Sequence, residues 1–452
     1  MLCKIIIRQI LFMIFPLLCL SCSKDSKVVD PDVISPRMVE SIPANGAVSV
    51  VLNTSISCNF TEQIVLSTGQ IKLNNQVVNA TVSARTLTIT PGILLPNTTY
   101  TLIIPNNAVS DVAGNFTKEI SISFTTIQSF SISPALVTPN PSPQAVKLYD
   151  FLKQNFGTKV ISGTMAKHST NITEAIWVHD NTGKWPAFTA FDFIDHTNLN
   201  QNWIEYSAPY TLGQAWWNNN GIVGLTWHWR DPLTKSGSFY TPAAATSPDT
   251  GTTFDISKVS DPNSAEYKAM IVDIDVISGY LKQFKDAGIP VIWRPLHEAA
   301  GGWFWWGAKG PAACKALWIL MYNRMVTTHG LNNLIWVWTS NTSGTALDWY
   351  PGNEYVDIVG MDIYPGNNNH ASQSVEFNKV RNIFNTKIIT LSECGSIPDP
   401  ALMKSNGDMW SWFMPWNGDY TESDTHNGVA WWKKIFGYDY VITRDQMPDL
   451  KN

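Results

Sequence analysis

Arg294, His297 and Glu298 close an apolar run, Ile289 to Trp293, and the rings of Trp303, Phe304, Trp305 and Trp306 follow at once. A carboxylate is costly to bury, so a strand that ends on one usually has a use for it. Flat rings beside a carboxylic acid suit a sugar, whose C–H faces stack on aromatics while the acid protonates a glycosidic oxygen. The plainer alternative is a core strand ending on a Glu paired with Arg294. A second carboxylate, Glu393, ends the run Ile388 to Ser392. Two carboxylates across a cleft can hydrolyse a glycoside: one protonates the leaving oxygen, the other attacks the anomeric carbon or activates water. Tryptophans beside Glu298 would raise its pKa and suit it to the acid's part. Glu393 must stay ionised, and a hydrogen bond from Tyr364 is expected to orient it. His297-Glu298 does not begin the HExxH zinc motif, because position 301 is Gly.

These residues need a scaffold that brings them together. Eight apolar runs follow residue 143: Lys159–Gly163, Pro186–Phe193, Gly221–Trp229, Pro290–Glu298, Asn333–Ser340, Val356–Tyr364, Lys387–Gly395 and Met409–Trp416. Continuous apolar runs mark strands buried on both faces, and helix-sized patterns such as Tyr267 to Ala287 and Ala312 to Thr328 separate them. Eight such units predict an α/β fold of the (β/α)8 TIM-barrel type, with active residues at the C-terminal strand ends. An open doubly wound sheet is the alternative, but no GxGxxG turn is present. Polar or aromatic residues do close these runs: His228 and Trp229, His297 and Glu298, Asn341, Asp362 and Tyr364, Glu393, and Trp416. Asp192, Asp195 and His196 cluster at and just after the end of the second run. Asp192 and His196 are read as sugar-hydroxyl ligands or loop hydrogen-bonders in preference to metal ligands, and no metal or cofactor is expected.

The chain of 452 residues is 44% hydrophobic and 15% charged, which implies several globular domains. A net charge of −5 gives no basic footprint for nucleic acid. Twenty tryptophans, several in WW or WxW clusters, favour a flat-faced ligand such as carbohydrate. Residues 1–22 read as an export signal, with Lys4 and Arg8 before an apolar stretch and Ser21-Cys22 at its end. This resembles a bacterial lipoprotein signal and implies acylation of Cys22, a lipid anchor in the outer membrane of the cell envelope, and residues 23–36 as a tether. Short strands with turn punctuation over residues 37–127, expected at Ala47–Ile56, Gln70–Leu73, Thr86–Thr90, Thr99–Ile104 and Glu119–Thr125, predict a β-sandwich. The segments Ile42-Pro43-Ala44-Asn45-Gly46, Asp111-Val112-Ala113-Gly114-Asn115 and Phe124-Thr125-Thr126 resemble bacterial Ig-like domains and imply a spacer. Residues 128–143, with four prolines, read as a linker, and residues 144–452 as the barrel. Cys58, Cys314 and Cys394 are too scattered to form a disulfide framework.

The barrel segment resembles glycoside hydrolase family 26, best known for β-mannanases, in its Arg294-Pro295-Leu296-His297-Glu298 with the later Gly-Gly-Trp-Phe-Trp-Trp-Gly, its Trp227-His228-Trp229, its Gly360 to Tyr364 and its Ile389 to Gly395. The resemblance implies retention of configuration, with Glu298 as acid/base and Glu393 as nucleophile. It places His297, Trp303, Trp227, His228 and Tyr364 around the active centre and Trp416 beneath the reacting sugar; Arg294 is counted with this substrate-binding set. The implied substrate is β-1,4-mannan, galactomannan, glucomannan or manno-oligosaccharide, cleaved by a monomer. Mixed-linkage β-glucan, β-1,3-xylan, and a glycan-binding lipoprotein that no longer cuts are the alternatives. The family motif commonly continues His-Glu-Met-Asn-Gly where this chain has Ala299-Ala300, which leaves subsite contacts open. The insert 231–262 is the candidate wall for one end of the cleft.

Overall fold

The computed structural model describes residues 31–127, 131–167, 169–197, 204–235, 238–247 and 250–452. The export signal, Cys22 and the start of the tether lie outside them. The chain divides into two compact units, one of residues up to Asn45 with Ser55–Pro91 and Thr101–Ser123, the other of Gly46–Thr54, Gly92–Tyr100 and Phe124–Asn452.

The first unit is built of short antiparallel strands. One sheet runs in the order Met38–Ile42, Ile56–Phe60, Thr86–Ile89, Ala80–Ser83, and Ile64–Leu66 pairs with Val109–Asp111. Side chains alternate along a strand, so Ile56, Cys58 and Phe60 turn inward together while Ser57 and Asn59 are partly exposed. The strand expected at Ala47–Ile56 is two: Ala47–Val50, which falls in the second unit, and Ile56–Phe60 in the first. Asn53 and Thr54 supply the turn that apolar content alone had hidden.

The second unit holds the barrel. Its strands are β1 (Val160–Met165), β2 (Phe188–Asp192), β3 (Ile222–Trp227), β4 (Val291–Pro295), β5 (Leu334–Thr339), β6 (Ile358–Ile363), β7 (Ile388–Cys394) and β8 (Trp412–Pro415), one for each predicted run. Neighbours pair in parallel in sequence order, and β1 pairs with both β8 and β2, so the sheet closes. A short ninth strand, Val441–Ile442, adds to β1. Helices cover the outside. Ala265–Asp286 is capped by Ser264, whose hydroxyl accepts from Tyr267 N–H at 3.1 Å, and it turns Met270, Ile274, Ile277, Leu281 and Phe284 inward at helical spacing. Pro311–Asn323 is continued by a wider π turn, Arg324–Thr328. The expected linker is fastened to the barrel at its middle: Val137 N–H donates to Asp357 at 2.7 Å, and Val137 C=O accepts from Tyr322 Oη at 2.8 Å. Cys58, Cys314 and Cys394 are buried free thiols.

Strand register carries the sequence pattern to the site. Thr226 of β3 stands beside Arg294 of β4, and its hydroxyl donates to Arg294 C=O at 2.8 Å. Between β6 and β7 the register shifts after Met361, which sets Asp362 beside Glu393. Gly360 makes room for this: a Cβ there would lie 2.3 Å from Ser392 Oγ, the atom that donates to Asp362 Oδ1 at 2.7 Å. Gly360→Ala is therefore expected to destabilise the barrel by about 1–3 kcal/mol, the usual cost of forcing a methyl group into a packed core. A denaturant midpoint unchanged from wild type would refute this close approach.

Candidate active site

The chain leaves β4 through an unusual turn. Leu296 and Glu298 both adopt left-handed backbone, at φ 50° and 53°, conformations that cost non-glycine residues roughly 1–3 kcal/mol each. The turn is held from several sides. Leu296 is fully buried, Trp306 Nε1 donates to His297 C=O at 2.8 Å, and Gly301 N–H donates to Glu298 C=O at 2.9 Å. Gly301 leaves its face open so that the Trp303 ring lies against it, where a Cβ would meet that ring at 2.1 Å. Trp303 Nε1 then donates to Glu298 Oε2 at 3.1 Å.

Glu298, Asp362 and Glu393 converge. An oxygen of each lies within 4.8 Å of an oxygen of the other two. Arg294 anchors the group, donating from Nη1 to Asp362 Oδ2 at 2.8 Å and from Nη2 to Glu393 Oε2 at 2.5 Å. Nη1 also reaches Thr339 Oγ1 at 3.3 Å. The Tyr364 hydroxyl donates to Glu393 Oε1 at 2.5 Å, the contact expected from the sequence. Burial and the Glu393 charge hold the Tyr364 phenol well above its usual range, so it remains a donor. One guanidinium faces three carboxylates, so the cluster retains a proton near neutrality. Burial first, then the charges of Asp362 and Glu393, push Glu298 up to about 8, and the Arg294 and Trp303 contacts only partly oppose them. Burial and Glu393 also raise Asp362, against the pull of Arg294. Burial alone would lower Arg294, yet Asp362 and Glu393 outweigh it and hold the guanidinium charged.

The other expected residues divide in two. Among the described residues, Trp303, Tyr364 and Tyr240 are among the few large aromatics more than a third exposed, at 39%, 43% and 37%. His228 and Trp416 line a cavity of about 480 Å³ with Met165, Asp192 and Tyr240. A smaller cavity of about 190 Å³ is lined by Glu298, Trp303, Asn341 and Asp362. Trp227, His297 and Arg294 do not line the cleft as expected. Trp227 is fully buried and stacked on Trp229 at 4.0 Å, His297 is sealed behind His228 and Phe304, and Arg294 spends its donors on protein carboxylates. Strand ends alone do not tell which side chains reach the cleft surface. Of the cluster after β2, Asp192 binds His228, Asp195 pairs with Arg230 at 3.0 Å, and His196 Nε2 meets Tyr206 C=O at 3.2 Å. From the sequence, Asp362 is visible only as a strand end; its long-range pairing with Arg294 has no local signal. Tyr240 and Phe239, inside the insert, escape the sequence reading altogether. The insert lines the large cavity with these rings and also splints the Trp303 loop, through Thr241 N–H to Trp303 C=O at 2.8 Å and Trp305 N–H to Phe239 C=O at 3.1 Å.

Two substitutions are expected to move the Glu298 titration in opposite directions, read by difference infrared spectroscopy of its carboxyl band. Trp303→Phe removes a donor that favours the charged form and should raise the pKa. Asp362→Asn removes a neighbouring negative charge and should lower it. Shifts of the same sign would contradict these electrostatic causes.

Comparison with known proteins comes to the same region. Residues 137–446 match the family model described as Glycosyl hydrolase family 26, and residues 32–126 match a Bacterial Ig-like domain. The chain is 35% identical over 328 residues to a mannan endo-1,4-beta-mannosidase of Thermothelomyces thermophilus, covering 70% of this chain and 64% of that protein. It is 36% identical over 331 residues to mannan endo-1,4-beta-mannosidase A of Piromyces sp, covering 71% and 52%. The chain thus spans between half and two-thirds of the length of these curated relatives. Among solved structures, it is similar to a beta-mannanase from a symbiotic protist of the termite Reticulitermes speratus complexed with gluco-manno-oligosaccharide, with TM-score 0.67 and 40% identity over 71% of this chain and 99% of that one. It is also similar to the Podospora anserina GH26-CBM35 beta-(1,4)-mannanase, with TM-score 0.66 and 29% identity over 93% and 98%.

Proposed function

Because this chain belongs to glycosyl hydrolase family 26, we propose that it hydrolyses β-1,4-mannosidic bonds in mannan, galactomannan, glucomannan or manno-oligosaccharides by double displacement. The observation that carries this is the separation of the carboxylates. Glu298 and Glu393 present oxygens within 4.8 Å of each other, close to the roughly 5–5.5 Å of retaining enzymes and well short of the roughly 6.5–9.5 Å that inverting enzymes need for a water. The mannanase names of the relatives and of the sugar-bound neighbour support the substrate.

In this reading the two carboxylates divide the work. In the first step Glu393 attacks the anomeric carbon, the bond to the leaving oxygen breaks, and Glu298 gives that oxygen its proton. In the second, water attacks the same carbon while Glu298 takes the water's proton and Glu393 leaves as carboxylate. The charge of Glu393 is one of the forces that keep Glu298 protonated. Once Glu393 is esterified that charge is gone, the Glu298 pKa falls, and the acid becomes the base the second step requires. Arg294 and Tyr364 keep Glu393 aimed throughout. The smaller cavity is lined by Glu298 itself, and the exposed rings of Tyr240, Trp303 and Tyr364 offer stacking surfaces for a glycan.

Reducing-sugar release is expected from locust-bean gum and not from mixed-linkage glucan. The rate should fall on the alkaline side as Glu298 loses its proton, near its value of about 8. Glu298→Ala should slow mannan hydrolysis by about 10²–10⁴-fold, the usual contribution of a general acid, and slow an aryl mannoside with a good leaving group less. Glu393→Ala should abolish both. Binding without release by wild type and Glu393→Ala alike would favour a glycan-capture protein.

A further inference from the structure

Asp192, His228 and His297 form a single hydrogen-bonded file through the wall of the larger cavity. Asp192 Oδ1 accepts the His228 backbone N–H at 2.9 Å, and Oδ2 lies 2.5 Å from His228 Nδ1. His228 Nε2 lies 3.1 Å from His297 Nε2. His297 Nδ1 is buried and has no partner among the described residues. The three residues are 8%, 7% and 1% exposed.

The proton positions follow from this arrangement. A carboxylate only accepts, so His228 Nδ1 carries its hydrogen. One proton lies between the two facing Nε2 atoms, and it belongs to one ring or the other. If His228 held it, neutral His297 would carry its own hydrogen on Nδ1 and bury a donor with nothing to accept it. If His297 holds it, Nδ1 is a bare lone pair. A lost donor is the rarer defect in protein interiors. Burial first, then the neighbouring His228 and Arg294, also holds His297 well below the usual imidazole range, so it stays neutral. Burial alone would raise Asp192; its contacts with His228 more than offset this and keep it charged.

We propose that Asp192 is a positioning residue that sets both tautomers, so that His297 Nε2–H donates to His228 Nε2 and His228 Nδ1–H donates to Asp192. Both nitrogens of His228 are then used inside the protein. The wall offers the sugar a carbon edge beside Trp416, whose ring centroid is 5.6 Å away, and no imidazole N–H. Hydroxyl recognition on this side falls to other groups. The assignment of protons stands on the geometry alone, and only its kinetic consequence rests on the mannan reading.

Long-range ¹H–¹⁵N spectra of histidine-labelled protein test it between about pH 5.5 and 8, where an ordinary imidazole titrates. His228 protonated at Nδ1 only and His297 at Nε2 only, across the range, is the expected result. An imidazolium at His228, or a proton on His297 Nδ1, overturns it. In Asp192→Asn the amide can donate to His228 Nδ1 and reverse the file. The tautomers should change, and kcat/KM on mannohexaose should fall about 10–100-fold, the loss usual when the carboxylate that orients a metal-bound histidine is removed, with KM rising more than kcat falls and Asp192→Glu restoring part. Unchanged tautomers in Asp192→Asn overturn the proposal. Changed tautomers with unchanged kcat/KM overturn its positioning role. Should the variant not fold, the wild-type spectra still decide the proton positions, and an absence of mannan turnover in wild type would count against the substrate without touching them.

Discussion

Arg294 is the constraint on which the site depends. Its guanidinium, 4% exposed, joins the end of β4 to Asp362 of β6 and Glu393 of β7. Removing one partner of such a buried pair typically costs about 3–5 kcal/mol, because a charge is left uncompensated. The fork geometry of arginine lets one side chain hold two carboxylates in fixed orientation, which a lysine ammonium would not. Arg294 spends its donors on Asp362 and Glu393, and Glu298 is the carboxyl pushed up to about 8. The same contact thus sets both where Glu393 points and what Glu298 is able to donate.

Everything else in the barrel keeps these groups in register. Closure of the sheet brings β4 and β7 to one rim. The slip after Met361 sets Asp362 against Glu393, and Gly360 admits the Ser392 hydroxyl that ties Asp362 down. The strained turn at Leu296 and Glu298 survives because packing and the Trp306 hydrogen bond leave it no alternative. The insert reaches across from β3 and fixes the backbone of Trp303, whose indole touches Glu298.

Much of this is legible in the sequence. Buried parallel strands need apolar residues on both faces, so each of the eight runs marks a strand, and each strand end marks a place at the rim. Glu298, Glu393 and the Tyr364 contact follow from those ends. What stays hidden is anything set by three-dimensional packing. Twenty tryptophans look like a sugar signal, yet twelve are fully buried among the described residues and serve the core. Trp227 belongs to them, since a ring at a strand end can turn behind its neighbour as easily as toward solvent. Arg294 and Glu393 are 99 positions apart, and His228 and Asp192 36, so no local pattern announces either pair. At Ala47–Ile56 the Val and Leu residues mask the turn at Asn53 and Thr54, so one expected strand is two.

On the proposed reading, carboxylates held as close as Glu298 and Glu393 act on one sugar through two successive displacements, each inverting the anomeric carbon. The anomeric configuration of the first product, followed by ¹H NMR during hydrolysis of mannohexaose before mutarotation, tests this most directly. A β-anomer formed first, decaying slowly to the equilibrium mixture, is the result the structure predicts. An α-anomer formed first would mean a single displacement by water, and would contradict Glu393 as nucleophile and Glu298 as its acid/base partner.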